Sequence, residues 1–381
     1  MSAIRVLVVD DSVVIRKVLC EALSADPSIE VAGSAADGTI GLAKIALLKP
    51  DLVTLDVEMP GMSGLETLVE IRKIYPRLPV IMFSTLTERG GSITLDALAL
   101  GASDYVAKPS NTGSLAQTRA RIERDLIPKV KGLCAGVAAH KTTPFRAKIS
   151  NIQMRIDVVA IGASTGGPNA LAAVLPKLPR EFPVPIVIVQ HMPPLFTRLL
   201  AERLDKQCAV SIREGEAGGV LKPGEVWIAP GDFHMIVERG GKQVRLAMNH
   251  EAPENSCRPA VDPLFRSVAQ IYGQHSLAVV LTGMGSDGLR GAQQVKEAGG
   301  QVIVQDEATS VVWGMPGQVA AAGLPGGIFP LDAIAEEIQR QARYGRFGAG
   351  YTNNTEVNSK ETLGNSQWNE RKKESAGKVH G

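Results

Sequence analysis

The chain has 381 residues, 44% of them hydrophobic and 21% charged, with a formal net charge of +2. That length fits two or three domains with full cores, and so even a charge balance, with no Lys/Arg stripe interleaved with aromatics, argues against nucleic acid as a partner. No uncharged run approaches the ~18 residues of a membrane helix, the N-terminal apolar run breaks at Asp10 and Asp11 and so is no secretory leader, and the scattered Cys20, Cys134, Cys208 and Cys257 form neither a CxxC pair nor a metal spacing, as expected in a reducing cytoplasm.

From the N-terminus, residues 4–9, 29–35, 52–56, 80–84 and 104–107 read as short strands, with helical patterns near 13–24, 38–48, 64–74, 91–100 and 112–127 between them. The strands are continuous apolar runs, the pattern of a parallel sheet covered on both faces. Five such units predict a doubly wound α/β domain over 1–124. The stretch 125–153 contains Pro128 and then few apolar residues at a helical period, and reads as a linker. Residues 154–344 form a second, mostly parallel α/β block. Its expected strands are 156–161, 184–190, 225–229, 277–282 and 301–305, its antiparallel hairpin 233–238 with 243–248, and its helices 167–176, 194–206, 260–272, 287–298, 314–322 and 331–344. The tail, 345–381, is rich in Asn, Ser, Gly, Lys and Glu and reads as disordered.

In the first block, Asp10 and Asp11 end the first strand and Asp56 the third. The carboxyl ends of neighbouring parallel strands share one rim, where ligands bind. Three carboxylates there favour a hard divalent cation, Mg²⁺ with several waters retained. Ser84 and Lys108 end the fourth and fifth strands and add a hydroxyl and an ammonium suited to phosphoryl oxygens. Aspartates favour turns after strands in any case, but five polar residues all at carboxyl ends are a stronger pattern.

Val-Val-Asp-Asp-Ser, Leu-Asp-Val-Glu-Met-Pro-Gly-Met-Ser-Gly and Val-Ala-Lys-Pro resemble the receiver domain of two-component response regulators over residues 1–124. The resemblance implies Asp56 as phosphoacceptor, with Asp10, Asp11 and the Glu58 carbonyl around Mg²⁺. It also implies Ser84 as switch hydroxyl, Tyr105 as switch aromatic, Lys108 as phosphoryl contact, and a histidine kinase as phosphodonor.

In the second block, the strand at 156–161 stops at Gly162-Ala163-Ser164-Thr165-Gly166, and Pro168 then opens a helix. A serine on a sharp strand-to-helix turn is how a hydrolase lifts a hydroxyl nucleophile out of its sheet. A serine nucleophile needs a base, and the base an orienting acid. Of the six histidines, His140 falls in the linker, His380 in the tail, and His250 and His275 in polar loops. His191 directly ends a strand expected beside that of Ser164 and is the preferred base, with His234 as the alternative. Asp287, in a glycine-rich turn after another strand, is the preferred acid. Asp232 and Asp306 remain alternatives, and Asp262 reads as a helix cap. The Met284 region offers free backbone N–H groups to an oxyanion.

Gly-Ala-Ser-Thr-Gly-Gly-Pro, Gln-His-Met-Pro, Ala-Pro-Gly-Asp-Phe-His-Met, Arg-Pro-Ala-Val-Asp-Pro-Leu-Phe, Leu-Thr-Gly-Met-Gly-Ser-Asp-Gly and Gln-Asp-Glu-Ala-Thr-Ser-Val-Val-Trp-Gly-Met-Pro together resemble the CheB family of chemotaxis protein-glutamate methylesterases over 154–344. The resemblance implies a phosphorylation-activated serine hydrolase, acting on glutamate methyl esters of chemoreceptors and deamidating certain receptor glutamines. Ser164 is then the nucleophile, His191 the base, Asp287 its orienting acid, and the amides of Thr165 and Met284 the oxyanion donors. No esterase cofactor, nucleic-acid contact or membrane insertion is expected, and the chain is expected to act in the cytoplasm as a monomer. Two alternatives stay open. One is the same architecture serving a receptor array outside chemotaxis. The other is a nucleotide-binding output domain using Gly162–Gly167, although Gly-x-Gly-x-x-Gly spacing is absent.

Overall fold

Five parallel strands, β1 (Ile4–Val9), β2 (Ile29–Ala35), β3 (Leu52–Asp56), β4 (Val80–Ser84) and β5 (Asp104–Ala107), form a sheet in the order β2-β1-β3-β4-β5, in a computed structural model that describes residues 3–108, 115–135, 154–344 and 346. Helices α1 (Val13–Ser24), α2 (Gly38–Leu48), α3 (Gly64–Ile74), α4 (Glu88–Ala99) and α5 (Leu115–Ala135) follow strands β1 to β5 in turn. The helix starts are written in the sequence. Ser12, Asp37, Ser63 and Thr87 each accept the backbone N–H three residues on, satisfying a donor that the first turn leaves without a partner. Ser63 and Glu66 complete a capping box.

The second block is a seven-stranded, wholly parallel sheet in the order β14-β13-β12-β6-β7-β9-β8. Its strands are β6 (Val158–Ala163), β7 (Ile186–Gln190), β8 (Ser211–Glu214), β9 (Glu225–Ile228), β12 (Ser276–Val280), β13 (Gln301–Gln305) and β14 (Gly327–Phe329). An antiparallel hairpin, β10 (His234–Gly240) and β11 (Gln243–Asn249), stands apart from it. The helices are α6 (Gly167–Val174), α7 (Phe196–Asp205), α8 (Val261–Tyr272), α9 (Leu289–Glu297), α10 (Met315–Ala321) and α11 (Leu331–Arg343). Every residue of β6, β7 and β12 is buried, because helices cover both faces of the sheet. β6 comes first in this block but sits in the middle of the sheet, with β7 on one side and β12 on the other. Chain order reverses there, so the loops after β6, β7 and β12 border the crevice of a topological switch point.

Two points differ from expectation. The helix expected over 112–127 is α5, which runs on to Ala135 through Pro128, so residues 125–135 are helix and not linker. Proline removes one helical hydrogen bond, but Ile122, Leu126, Val130 and Leu133 recur at helical spacing and are buried against Val18 and Leu19 of α1. Burial outweighs the lost bond. The short strands β8 and β14 lie at the two edges of the second sheet and were not anticipated, since their alternation is too brief to register. The rest of the expected linker, 136–153 with His140, and the expected tail with His380, apart from Arg346, lie outside the described residues, as does Pro109.

Candidate active site

On the rim of the first sheet, ligand oxygens of Asp10, Asp11 and Asp56 all lie within 4.8 Å of one another. Lys108 Nζ is 2.6 Å from Asp56 Oδ2 and 3.3 Å from Asp10 Oδ2, and these two buried oxygens receive no other hydrogen bond. Burial, with the Asp10 charge in support, pushes Asp56 up to about 6 against the pull of Lys108. Burial likewise raises Asp10. Burial works against the charge on Lys108, but Asp56 and Asp10 outweigh it and raise Lys108. Two neighbouring carboxylates sharing one ammonium leave an excess of negative charge with hard oxygen donors, which a divalent cation fits. The Glu58 N–H donates to Asp56 Oδ1 at 3.2 Å, which places Glu58 beside the cluster. Ser84 is buried one strand away, and its hydroxyl donates to Gly90 O at 3.1 Å. Tyr105 is also buried, under Lys129 Nζ at 5.2 Å from its ring centre.

On the second sheet, Ser164, His191 and Asp287 follow β6, β7 and β12, three adjacent parallel strands. The Ser164 turn is forced by glycine. Gly166 caps α6 at φ 77, where a Cβ would also meet Val311 Cγ2 at 2.6 Å. A Cβ on Gly167 would fall 1.9 Å from Gln190 Oε1. Gln190 Nε2 donates to Ser164 O at 2.9 Å and so ties the Ser164 turn to the strand before His191. Among the described residues, the Ser164 hydroxyl makes no hydrogen bond, and the amides of Thr165 and Met284 donate to no acceptor.

His191 Nε2 lies 2.7 Å from Asp287 Oδ2. An ionised carboxylate can only accept, so Nε2 carries the proton and Nδ1 is left as the acceptor. Asp287 is held by more than His191. Val261 N donates to Oδ2 at 2.6 Å, and Asp262 N, Gly288 N and Asn255 Nδ2 donate to Oδ1 at 3.1, 2.9 and 2.8 Å. Burial would raise this carboxyl, but His191 and these amides overcome it and hold Asp287 below the usual carboxylate range. For His191, burial works against the charged ring, while Cys257 and Asp287 oppose it and push the ring up to about 10. The Cys257 contribution exists only in its thiolate form. With Cys257 as a thiol, Asp287 alone opposes burial.

The other expected candidates separate cleanly. His234 is buried, accepts from Ala260 N at 3.2 Å through Nδ1, and places Nε2 3.1 Å from Ala252 O. Both nitrogens are committed to backbone, so it is structural. His250 pairs with Asp232 on the surface. His275 Nδ1 is 2.8 Å from Arg155 O. Asp306 accepts from Thr309. Asp262, expected as a helix cap, instead accepts Gly291 N from the start of α9 at 2.7 Å and Asn255 Nδ2 at 3.0 Å, because Ala260 is the capping position.

Two residues at the site were not singled out beforehand. Asn255 bridges Asp287 and Asp262, and Cys257 Sγ lies 3.5 Å from His191 Nδ1. The only signal was their place directly before Arg-Pro-Ala-Val-Asp-Pro.

The first block packs directly against this site. Tyr105 stacks on Phe196 of α7 at 4.7 Å and 7°. Asp104 Oδ2 accepts from Thr165 Oγ1 at 2.6 Å and pairs with Lys129 at 2.9 Å. Asn169 Nδ2 donates to Leu98 O at 2.7 Å, and Arg203 and Arg198 of α7 pair with Asp96 and Glu88 of α4 at 2.5 and 2.6 Å. A Cβ on Gly132 of α5 would touch Met284 Sδ at 2.9 Å. Both expected oxyanion residues, Thr165 and Met284, therefore touch the first block.

Comparison with known proteins gives the family of each block. Residues 159–338 match the family model described as CheB methylesterase, and residues 6–119 that of the response regulator receiver domain. The chain is 53% identical over 350 residues to a protein-glutamate methylesterase/protein-glutamine glutaminase of Trichodesmium erythraeum (strain IMS101), spanning 90% of this chain and 99% of that protein. It is 50% identical over 352 residues to a protein of the same description from Nocardioides sp. (strain ATCC BAA-499 / JS614), spanning 90% and 96%. The crystal structure of the Thermotoga maritima CheB methylesterase catalytic domain is 44% identical and covers 49% of this chain and 99% of its own, with a TM-score of 0.48.

Proposed function

The chain belongs to the CheB family of protein-glutamate methylesterase/protein-glutamine glutaminases, and from that premise we propose how its residues divide the work. It removes methyl groups from glutamate γ-methyl esters of chemoreceptors and deamidates receptor glutamines, under control of phosphorylation. Residues 1–124 are the receiver and 154–344 the esterase, with α5 extending from the receiver into the connection. The observation that carries this reading is the His191–Asp287 pair, 2.7 Å apart, with Ser164, His191 and Asp287 all placed after the carboxyl ends of three adjacent parallel strands. The same placement disfavours a nucleotide site, which needs an acidic residue where His191 stands.

Ser164 Oγ attacks the γ-carbonyl carbon, and His191 accepts its proton at Nδ1 while Asp287 holds Nε2–H. The negative oxygen falls to the free amides of Thr165 and Met284, each such donor commonly worth ~3 kcal/mol. His191 returns the proton to the departing methoxide, releasing methanol, or to the departing amine when the substrate is a glutamine. Water then attacks the glutamyl ester of Ser164, giving a proton to His191, which passes it to Ser164 Oγ as the ester bond breaks and the glutamate is freed.

In the receiver, Asp56 attacks the phosphoryl group of a histidine kinase. Asp10, Asp11, Asp56 and the Glu58 carbonyl are the proposed holders of Mg²⁺, which supplies charge neutralisation during the transfer when bound. Lys108 contacts the new phosphoryl group. Ser84 and Tyr105 transmit it, because Tyr105 already packs on Phe196. Adding about −1.5 to −2 of charge at Asp56 biases the receiver away from the face it covers. Substrate then gains access to Ser164 and the amides of Thr165 and Met284. The receptors and the kinase act on the cytoplasmic side, where unpaired cysteines persist. All four cysteines are free, and among the described residues no helix is long and apolar enough to cross a membrane.

The test is methanol release from methylated receptor membranes with and without a small-molecule phosphodonor. Ser164→Ala should lose release in both conditions, and Asp56→Ala only the stimulated part. Full release by Ser164→Ala would refute the assignment.

A further inference from the structure

The turn 254–258 grips both members of the acid–base pair. Cys257 N donates to Glu254 O at 2.9 Å, closing the turn. Asn255 and Ser256 form its corner at φ 50 and 62, a left-handed conformation that non-glycine residues rarely hold without outside support. The support is visible. Asn255 Nδ2 gives both of its hydrogens to Asp287 and Asp262, Glu254 pairs with Arg266 at 2.6 Å, and Arg258 is clamped by Asp232 at 2.7 Å. The position of Cys257 is therefore set by the fold.

That position is chemically costly for the proposed base. Nε2 of His191 is taken by Asp287, so Nδ1 is the one nitrogen able to receive the Ser164 proton. Cys257 Sγ stands at 3.5 Å from Nδ1, and among the described residues Ser164 Oγ hydrogen-bonds to nothing. We propose that Cys257 is a positioning residue of the esterase: it occupies His191 Nδ1 in the resting site and gives it up to Ser164 when substrate binds. The proposal rests on the reading of His191 as the base. A thiol suits the task because it is a weak donor with a long contact, so a serine hydroxyl held against an acyl carbon displaces it. In its thiolate form Cys257 also favours a protonated ring, which cannot take another proton.

The consequence inverts the usual order of conservative substitutions. A hydroxyl is a stronger hydrogen-bond partner than a thiol, so Cys257→Ser should hold Nδ1 more tightly and lower kcat by about 3- to 10-fold with KM unchanged. Cys257→Ala leaves Nδ1 unopposed and should raise kcat by about 2- to 5-fold, again with KM unchanged. A packing role predicts the reverse, since serine nearly preserves the shape of cysteine and alanine does not. The experiment measures methanol release by the full-length chain with phosphodonor present, for wild type, Cys257→Ser and Cys257→Ala, with thermal unfolding as a check on folding. Activity in the order Ala above wild type above Ser supports the proposal, and any other order among folded proteins overturns it. Ser164→Ala in each background separates the two readings. Activity that survives it defeats the serine mechanism itself, whereas its loss with the wrong order at Cys257 defeats only the role of Cys257.

Discussion

Asp287→Asn is the sharpest probe of the esterase site, because every acceptor position on Asp287 is filled. Oδ2 takes His191 Nε2 and Val261 N, while Oδ1 takes Asn255 Nδ2, Asp262 N and Gly288 N. An asparagine has one oxygen for five donors. The less damaging orientation keeps its oxygen at the Oδ1 position and points its NH₂ at Val261 N–H and His191. The Val261 amide is buried and loses its acceptor, which costs ~1–3 kcal/mol of stability. His191 must then accept at Nε2 and carry its own proton on Nδ1, the tautomer that cannot take the proton of Ser164. The parallel substitution in another serine hydrolase triad lowers turnover ~10⁴-fold, and a loss of ~10³–10⁴-fold in kcat is expected here on the same grounds. The assay is methanol release with phosphodonor, together with chemical denaturation to read the stability change separately. A variant that folds and keeps within tenfold of wild-type kcat would refute the role given to Asp287.

Two further predictions concern control. Arg198→Glu with Arg203→Glu turns two ion pairs with the receiver, to Glu88 and Asp96, into repulsions. Exposed pairs are worth ~0.2–1 kcal/mol each, so methanol release without phosphodonor should rise roughly 3- to 10-fold, that with phosphodonor should change little, and an unchanged basal rate would count against a covered site. The second uses Asp56, held up to about 6 by burial, against about 3.9 for an unfolded aspartate. The folded chain keeps a proton that the unfolded chain releases between these values, so the contribution is full below pH ~4 and is lost as pH rises through about 6, by at most ~3 kcal/mol. Denaturation in metal-free buffer should show this decline, Asp56→Asn should lessen it and Mg²⁺ should remove it, and equal slopes for wild type and Asp56→Asn would contradict the shift.

Much of this was legible in the chain, for local reasons. β1 to β5 fall where expected because each is a short, mostly apolar stretch, and α1 to α3 start after their capping side chains. Asp10, Asp56, Ser84 and Lys108 were visible as a set because strand ends in a parallel sheet share a rim. Ser164 was marked by its glycines. α5 was cut short at Pro128 because proline is a strong local signal, whereas the burial that carries the helix past it depends on α1, a hundred residues away in sequence. The edge strands β8 and β14 have too few residues and too little burial to announce themselves.

The amino-acid sequence by itself determined which residues can do chemistry here, since carboxylates, a flexible glycine-flanked serine and a strand-terminal histidine are properties of local pattern. Only the tertiary structure decided how they are paired. It pairs His191 with Asp287, whereas His234 spends both nitrogens on backbone. It gave Asp287 its four other donors and moved Asp262 from cap to bridge. It set Cys257 against His191 and Asp104 against Thr165. Three of these contacts, Thr165 to Asp104, Cys257 to His191 and His191 to Asp287, join residues 61, 66 and 96 positions apart. No period or spacing encodes them, because they exist only once two sheets and their helices have buried their apolar faces and brought the loops to one place.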